Sequence, residues 1–296
     1  MAVLFVVRIG LACAETVYLF PSADTSIMEA FPVNNFGGNE FFNAGTTQNY
    51  TTNRGLLKFD VAGTLPRNAK IVGATLTVEV VGTPVDGDTP SSFGLHRMLR
   101  DWGEGNKAGH PPQQSSLGQP AAAGEATFFD RAAFTTNSWH YPGAAAGVDY
   151  VAEFSSDTFV YGENFSPYLF DSTPQLVSDV QQWLSGSNFG WMLISRAETN
   201  NFTARRFASR EDPYRAPILA VDYFIPRIDR VTVQNGVVAI TFPVQPGFVY
   251  RLQSCDRPGY APWETVANIS AQSAVLSVTI NDPVTSAARL YTLIVE

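Results

Sequence analysis

Leu76-Thr77-Val78-Glu79-Val80 is the stretch that sets the fold class of this chain. In an extended strand Leu76, Val78 and Val80 fall on one face, and Thr77 and Glu79 on the other. The same period of two recurs at Leu57, Phe59 and Val61 around Lys58 and Asp60. Trp191-Met192-Leu193-Ile194 is apolar on both faces, which predicts a central strand between packed layers. Ile218 to Tyr223 predicts another strand. Only one segment carries a clear helical signal. Thr173 caps it, Pro174 takes its first position, Gly186 ends it, and Leu176, Val177, Val180, Trp183 and Leu184 form its apolar stripe. The expectation is an all-β chain, with a large jelly-roll-like β-sandwich plugged at one end by a short helix. Trp183 then belongs to the core.

Composition narrows the class further. Of 296 residues, 45% are hydrophobic, enough for packed cores and too many for a disordered chain. Only 16% are charged, against roughly 25% in ordinary soluble domains. The formal charge of −8 argues against nucleic acid or anionic lipid as partners. No apolar run reaches the roughly 18 residues of a membrane span, so no membrane insertion is expected. Three His and two Cys exclude zinc-finger arrays and disulfide-dense scaffolds.

The charge also divides the chain. Residues 226–296 hold Arg227, Arg230, Arg251, Arg257 and Arg289 against Asp229, Asp256, Glu264, Asp282 and Glu296, so the whole excess lies in residues 1–225. A change of texture at Pro226 places a boundary there. Met1 to Ala14 is apolar and ends in the small-x-small form Ala12-Cys13-Ala14, which reads as a signal peptide and implies a secreted protein. Three segments result: 1–14 exported and removed, 15–225 the large sandwich, and 226–296 a small immunoglobulin- or fibronectin-like sandwich. In the last, Asn235-Gly236 marks a hairpin, and Phe248, Tyr250 and Leu252 alternate, as do Leu276, Val278 and Ile280. Leu290 to Val295 predicts the final strand. Residues 103–124 carry no period and read as a functional or disordered loop.

Several further motifs follow one another in order along residues 15–225. They are Ala23-Asp24-Thr25-Ser26-Ile27 with Asn35-Phe36-Gly37-Gly38, then Arg54 to Asp60, then Ile71 to Leu76. Asp101-Trp102-Gly103-Glu104, Trp139 with Pro142-Gly143, Asp179 to Trp183 with Gly190-Trp191, and Phe207 to Glu211 with Pro217-Ile218-Leu219 follow. In that order they resemble the DNRLRE-type domain, a family that occurs in carbohydrate-binding modules of alginate-active enzymes and in disaggregatase-related surface proteins. The resemblance implies a secreted β-sandwich with a polysaccharide as partner. Tyr250 to Ser254, Trp263 and Leu290 to Leu293 resemble small sandwiches that end many secreted bacterial proteins, which implies a spacer or attachment role.

No catalytic constellation is evident: no nucleophile elbow, zinc-protease helix, phosphate loop or EF-hand loop. The chain is therefore expected not to be an enzyme. His140-Tyr141 is the pair a polysaccharide lyase would need, a base beside a tyrosine. For binding, Trp102, Trp139, His140 and Tyr141 lie in Gly- and Pro-rich loops where rings can meet the apolar faces of sugars. Ala204-Arg205-Arg206-Phe207-Ala208-Ser209-Arg210 would place Arg206 and Arg210 on one face of a strand and Arg205 on the other. Guanidinium forks of this kind suit the carboxylates of an acidic polysaccharide such as alginate. Asp24 and Asn35 head oxygen-rich turns that suit a structural calcium. The leading expectation is a secreted carbohydrate-binding protein. The alternatives are a structural or adhesive cell-surface or matrix protein, and a polysaccharide-degrading enzyme.

Overall fold

The computed structural model describes residues 14–109, 117–274, 276–283 and 288–295. The expected signal segment, apart from Ala14, lies outside the described residues, as does His110 in the middle of the 103–124 stretch. The chain is all-β, with sheets packed as a sandwich and little helix. It divides into two compact units, one formed by Thr16–Arg67 with Ile71–Asp222, the other mainly by Tyr223–Glu296.

The large unit is built on an antiparallel sheet. Its strands run, in spatial order, Ser156–Val160, Ser91–Arg97, Trp191–Ser195, Thr52–Phe59, Phe41–Thr46, Arg205–Ala208 and Val80–Gly82, with Pro21–Met28 also paired to Thr52–Phe59. A second sheet orders Glu15–Leu19, Ile218–Phe224, Lys70–Val78 and Tyr168–Phe170. The alternating run at Leu76 serves both sheets. Leu76, Val78 and Val80 are all buried, but the strand breaks at Glu79, so Val78 ends in one sheet and Val80 begins in the other. Two bonds fix that corner: Ala208 N–H donates to Glu79 O at 2.9 Å, and Val80 N–H donates to Ser166 Oγ at 2.8 Å. The other alternating run is shorter than its pattern suggests. The strand ends at Phe59, and Asp60 turns the chain by accepting from Gly63 N–H at 2.9 Å, capping a single helical turn that carries Val61 inward.

Trp191–Ser195 is buried along its whole length, between Thr52–Phe59 and Ser91–Arg97. Two cores lie on its two faces. On one, Trp191 contacts Phe59 and Trp183, with ring centroids 6.1 and 4.4 Å apart. On the other, Met192 and Ile194 join Ile27, Leu56, Met98, Trp102, Phe128, Trp139 and Tyr150. The loop-rich segment from Met98 to Tyr150 thus supplies much of the apolar cover over that second face.

Among the described residues the one helix longer than a single turn is Pro174–Trp183, capped by Thr173, whose Oγ1 accepts from Leu176 N–H at 3.0 Å. Its buried side chains are Leu176, Asp179, Val180 and Trp183. Trp183 is core, as expected. Asp179 is buried where the apolar stripe put no polar residue, and Val177 is only half-buried.

The smaller unit contains two three-stranded sheets. One orders Arg230–Gln234, Val237–Val244 and Leu276–Pro283, the other Glu264–Ile269, Tyr250–Cys255 and Leu290–Val295. Asn235 and Gly236 turn the first hairpin with φ of 52° and 74°, both in the left-handed region that this dipeptide favours. Val238, Ile240, Phe242, Val244, Tyr250 and Leu252 form its core. Cys255 is free and buried.

Candidate functional site

Among the described residues, three exposed aromatics in successive ring contact lie at and beyond the end of the strand Ser156–Val160. Phe159 and Tyr161 are two residues apart and so share the outward face, while Val160 between them is fully buried. Their ring centroids are 4.9 Å apart. A one-turn 3₁₀ segment, Glu163–Phe165, then carries Phe165 to within 5.2 Å of the Tyr161 ring. About half of each of Phe159 and Tyr161, and two-thirds of Phe165, faces solvent. Tyr161 and Phe165 also form one wall of a cleft of about 400 Å³. Thr83, Asp88, Pro90, Gly162, Glu163 and Asn164 supply the rest of its lining.

Two buried polar side chains fix this loop from beneath. The Tyr168 phenol donates to Gly162 O at 2.6 Å and accepts from Tyr161 N–H at 3.1 Å. Burial pushes the Tyr168 hydroxyl above its usual range, so it remains a donor. Arg205 does more. Its side chain is fully buried, and its Nε donates to Tyr161 O at 2.5 Å. Nη1 donates to Phe202 O and Ala204 O at 3.1 and 2.9 Å. Nη2 donates to Thr89 O at 3.1 Å and lies 3.5 Å from Asp88 Oδ2. One guanidinium therefore ties the Tyr161 wall to the Asp88–Thr89 wall. Burial pushes its pKa below the usual value, and the charges of Asp88 and Tyr168 offset only part of that.

The residues singled out from sequence are dispersed by the fold. Trp102 and Trp139 are not open platforms. Both are buried in the core of the loop-covered face, and their indole N–H groups donate to Phe189 O at 2.8 Å and Thr127 O at 2.9 Å. Gly- and Pro-rich surroundings suggested exposure, but these loops fold back over a sheet face that would otherwise be bare. Tyr141 is exposed, with the His140 ring edge-on to it at 4.6 Å. The His140 backbone N–H is held by Asp149 Oδ2 at 2.9 Å.

The basic strand is also reorganised. Arg205 points inward and is consumed as described. Arg206 faces outward over the Phe41 ring, its guanidinium carbon 4.7 Å from the centroid. Arg210 does not share that face, because the strand ends at Ala208. Its Nε instead lies 2.6 Å from Glu104 Oε1 and 3.0 Å from Glu211 Oε1. The arginines therefore do not form one cationic face; acidic neighbours compensate Arg210 within a net-negative chain.

Asp24 and Asn35 meet around Glu104. Asp24 N–H donates to Glu104 Oε1 at 2.8 Å, and Asn35 Nδ2 donates to Glu104 O at 2.7 Å. Asn35 also donates to Ala126 O at 3.0 Å and accepts from Gly37 N–H at 3.0 Å, so both ends of its amide brace backbone. The glycines beside it are required by that packing: a Cβ on Gly37 would lie 2.1 Å from Glu104 O. The described parts of the 103–124 stretch are thus held against Asn34–Asn39 and are not free loop. Among the described residues, no group of three or more His, Cys, Asp or Glu is placed to hold a metal, and no helix is long and apolar enough to cross a membrane.

Asp24 is 1% exposed, with Oδ2 accepting from Arg210 N–H at 2.7 Å. Burial raises its pKa well above the usual carboxylate range, and Glu211 and Glu104 push it the same way; the Arg210 N–H and charge only partly offset them. A carboxyl raised in the folded state stabilises the fold fully below its unfolded pKa, about 3.9. That contribution is lost as pH rises through the folded value. Asparagine mimics the protonated form and keeps an acceptor for Arg210 N–H. Asp24→Asn should match the wild type in denaturant unfolding at pH 4 and exceed it increasingly toward pH 8. A variant less stable than wild type at pH 7 would show that the charged form is the one the fold favours.

Phe159, Tyr161, Phe165 and Asp88 were not anticipated as a site. Phe159-Val160-Tyr161-Gly162-Glu163-Asn164-Phe165 does carry a signal, since its outward alternating positions are aromatic where a solvated strand face would be polar. Asp88 and Thr83 reach the cleft only through tertiary structure. No family model matches the chain, and no curated protein matches it.

Proposed function

We propose that this chain is a non-catalytic carbohydrate-binding protein that takes a neutral glycan in the Tyr161–Phe165 cleft. The observation that carries this reading is a run of three solvent-facing aromatic rings, Phe159 against Tyr161 and Tyr161 against Phe165, of which the last two line a cleft together with hydroxyl, amide and carboxylate groups. Sugars offer apolar C–H faces ringed by hydroxyls. Rings match the faces, and Thr83, Asp88, Glu163 and Asn164 match the hydroxyls. The motif order that resembles DNRLRE-type domains supports the same class. The choice of a neutral glycan over a uronate polymer follows from charge. The cleft lining contains two carboxylates and no basic residue, and like charges brought together at an interface are costly.

Tyr161→Ala with Phe165→Ala tests the reading. About half of Tyr161 and two-thirds of Phe165 already face solvent, so the melting temperature should move by only a few degrees. Truncating an aromatic anchor at the centre of a site costs about 2 kcal/mol or more, which is roughly thirtyfold in affinity. Affinity electrophoresis through gels of neutral and acidic polysaccharides measures it. Retardation of the double variant equal to that of wild type would remove the cleft from the reading.

A structural or adhesive role has one observation in its favour. Val231 and Val233 pair across from Ile240 and Val238, which are core residues, yet the whole edge strand Arg230–Gln234 is exposed. Open edge strands are templates for pairing with another chain. Concentration-dependent association without glycan affinity would select that alternative.

A further inference from the structure

We infer that the cleft takes a short stretch of a soluble glycan chain inserted between its walls, and not the flat face of a crystalline polymer; the inference rests on the glycan reading above. A crystalline face can be covered only by rings that lie in one plane. Here the ring planes of Phe159 and Tyr161 meet at 65°, and those of Tyr161 and Phe165 at 41°. No plane contacts all three, but a chain that changes direction can meet them in turn. The polar side chains Thr83, Asp88, Glu163 and Asn164 line the cleft together with Tyr161 and Phe165, so a ligand lying only across the rings would not meet them all. The size fits insertion: about 400 Å³ is at the small end of ligand clefts, room for a short piece of chain.

Gly162 makes insertion testable without touching a ring. It lines the cleft, and its backbone is extended, with φ −144°, so other residues can adopt it. A Cβ there would sit 3.5 Å from Thr83 Cγ2 and 3.6 Å from Asp88 Oδ2, ordinary contact distances. Leucine at this position would start from a tolerated Cβ and fill the space beyond it. The Tyr161, Phe165 and Phe159 rings would remain.

The full chain is run through native gels containing soluble mixed-linkage β-glucan, galactomannan or pullulan, and is pelleted with microcrystalline cellulose and chitin. The expected result is retardation by at least one soluble polymer and no depletion by either crystalline one. Gly162→Leu should weaken the retardation at least tenfold with an unchanged circular dichroism spectrum. Should Gly162→Leu fail to fold, Asn164→Ala, on the exposed turn, should weaken retardation severalfold. Depletion by cellulose or chitin that survives Gly162→Leu would overturn insertion while leaving carbohydrate binding standing. Retardation unchanged in either folded variant would do the same. Absence of binding to every polymer would remove the carbohydrate reading and this inference together.

Discussion

Asp179→Ala should lower the stability of the large unit by about 3–5 kcal/mol, the cost of breaking a buried ion pair and stranding its partners. Asp179 lies fully buried on the helix Pro174–Trp183. Its Oδ1 is 3.0 Å from Arg97 Nε and accepts from Gln175 Nε2 at 3.0 Å. Its Oδ2 accepts from Trp191 Nε1 at 2.9 Å and from the Ser155 hydroxyl. One carboxylate thus joins the helix to the central strand, to its neighbour Ser91–Arg97 and to the loop before Ser156. Alanine removes at once the acceptor of Gln175, Trp191 and Ser155 and the counter-charge of Arg97. For a unit of this size the loss corresponds to a melting temperature lower by on the order of 10 °C. Asp179→Asn, which keeps an acceptor but not the charge, should lose clearly less. A melting temperature within about 2 °C of wild type for the alanine variant would show that water replaces the carboxylate at little cost.

Asp179 also shows what could and could not be read from sequence. The helix was legible because its signals are local: Thr173, Pro174 and a stripe at helical spacing. The buried carboxylate was not, because its partners Arg97, Ser155 and Trp191 come from three other segments. The sandwich strands were legible for the same local reason, since a period of two follows from backbone geometry alone. The corner at Glu79 was not, because the alternation of Leu76, Val78 and Val80 is the same whether the strand continues in one sheet or crosses to another. For the candidate site the order reverses. Trp102 and Trp139 lie in irregular segments, a pattern that predicts exposure, yet those segments form part of the core. Phe159 and Tyr161 sit at the end of a regular strand, where alternation alone assigns no role. Whether an aromatic is exposed depends on what covers it, and that cover comes from residues distant in sequence.

Arg205→Ala should damage stability and binding together, and the pairing of the two effects tests whether Arg205 holds the cleft. Its side chain has no exposed surface, and its four backbone acceptors belong to Tyr161, Phe202, Ala204 and Thr89. Removal strands those carbonyls, at about 1–3 kcal/mol for each one left unsatisfied. Their position beside the cleft lets water reach some of them, so the expected loss is about 3 kcal/mol in denaturant unfolding. Binding should fall at least tenfold even at temperatures where the variant is fully folded, because the Tyr161 wall and the Asp88–Thr89 wall lose their common tie. Arg205→Lys separates charge from shape: an ammonium keeps the charge but cannot present the planar fork. It should recover part of the stability and little of the binding. If lysine restores binding fully, charge near Asp88 is what the ligand senses. If alanine costs less than about 1 kcal/mol and binding persists, the cleft walls are held by the strands alone. Arg205 then fills space without tying the walls together.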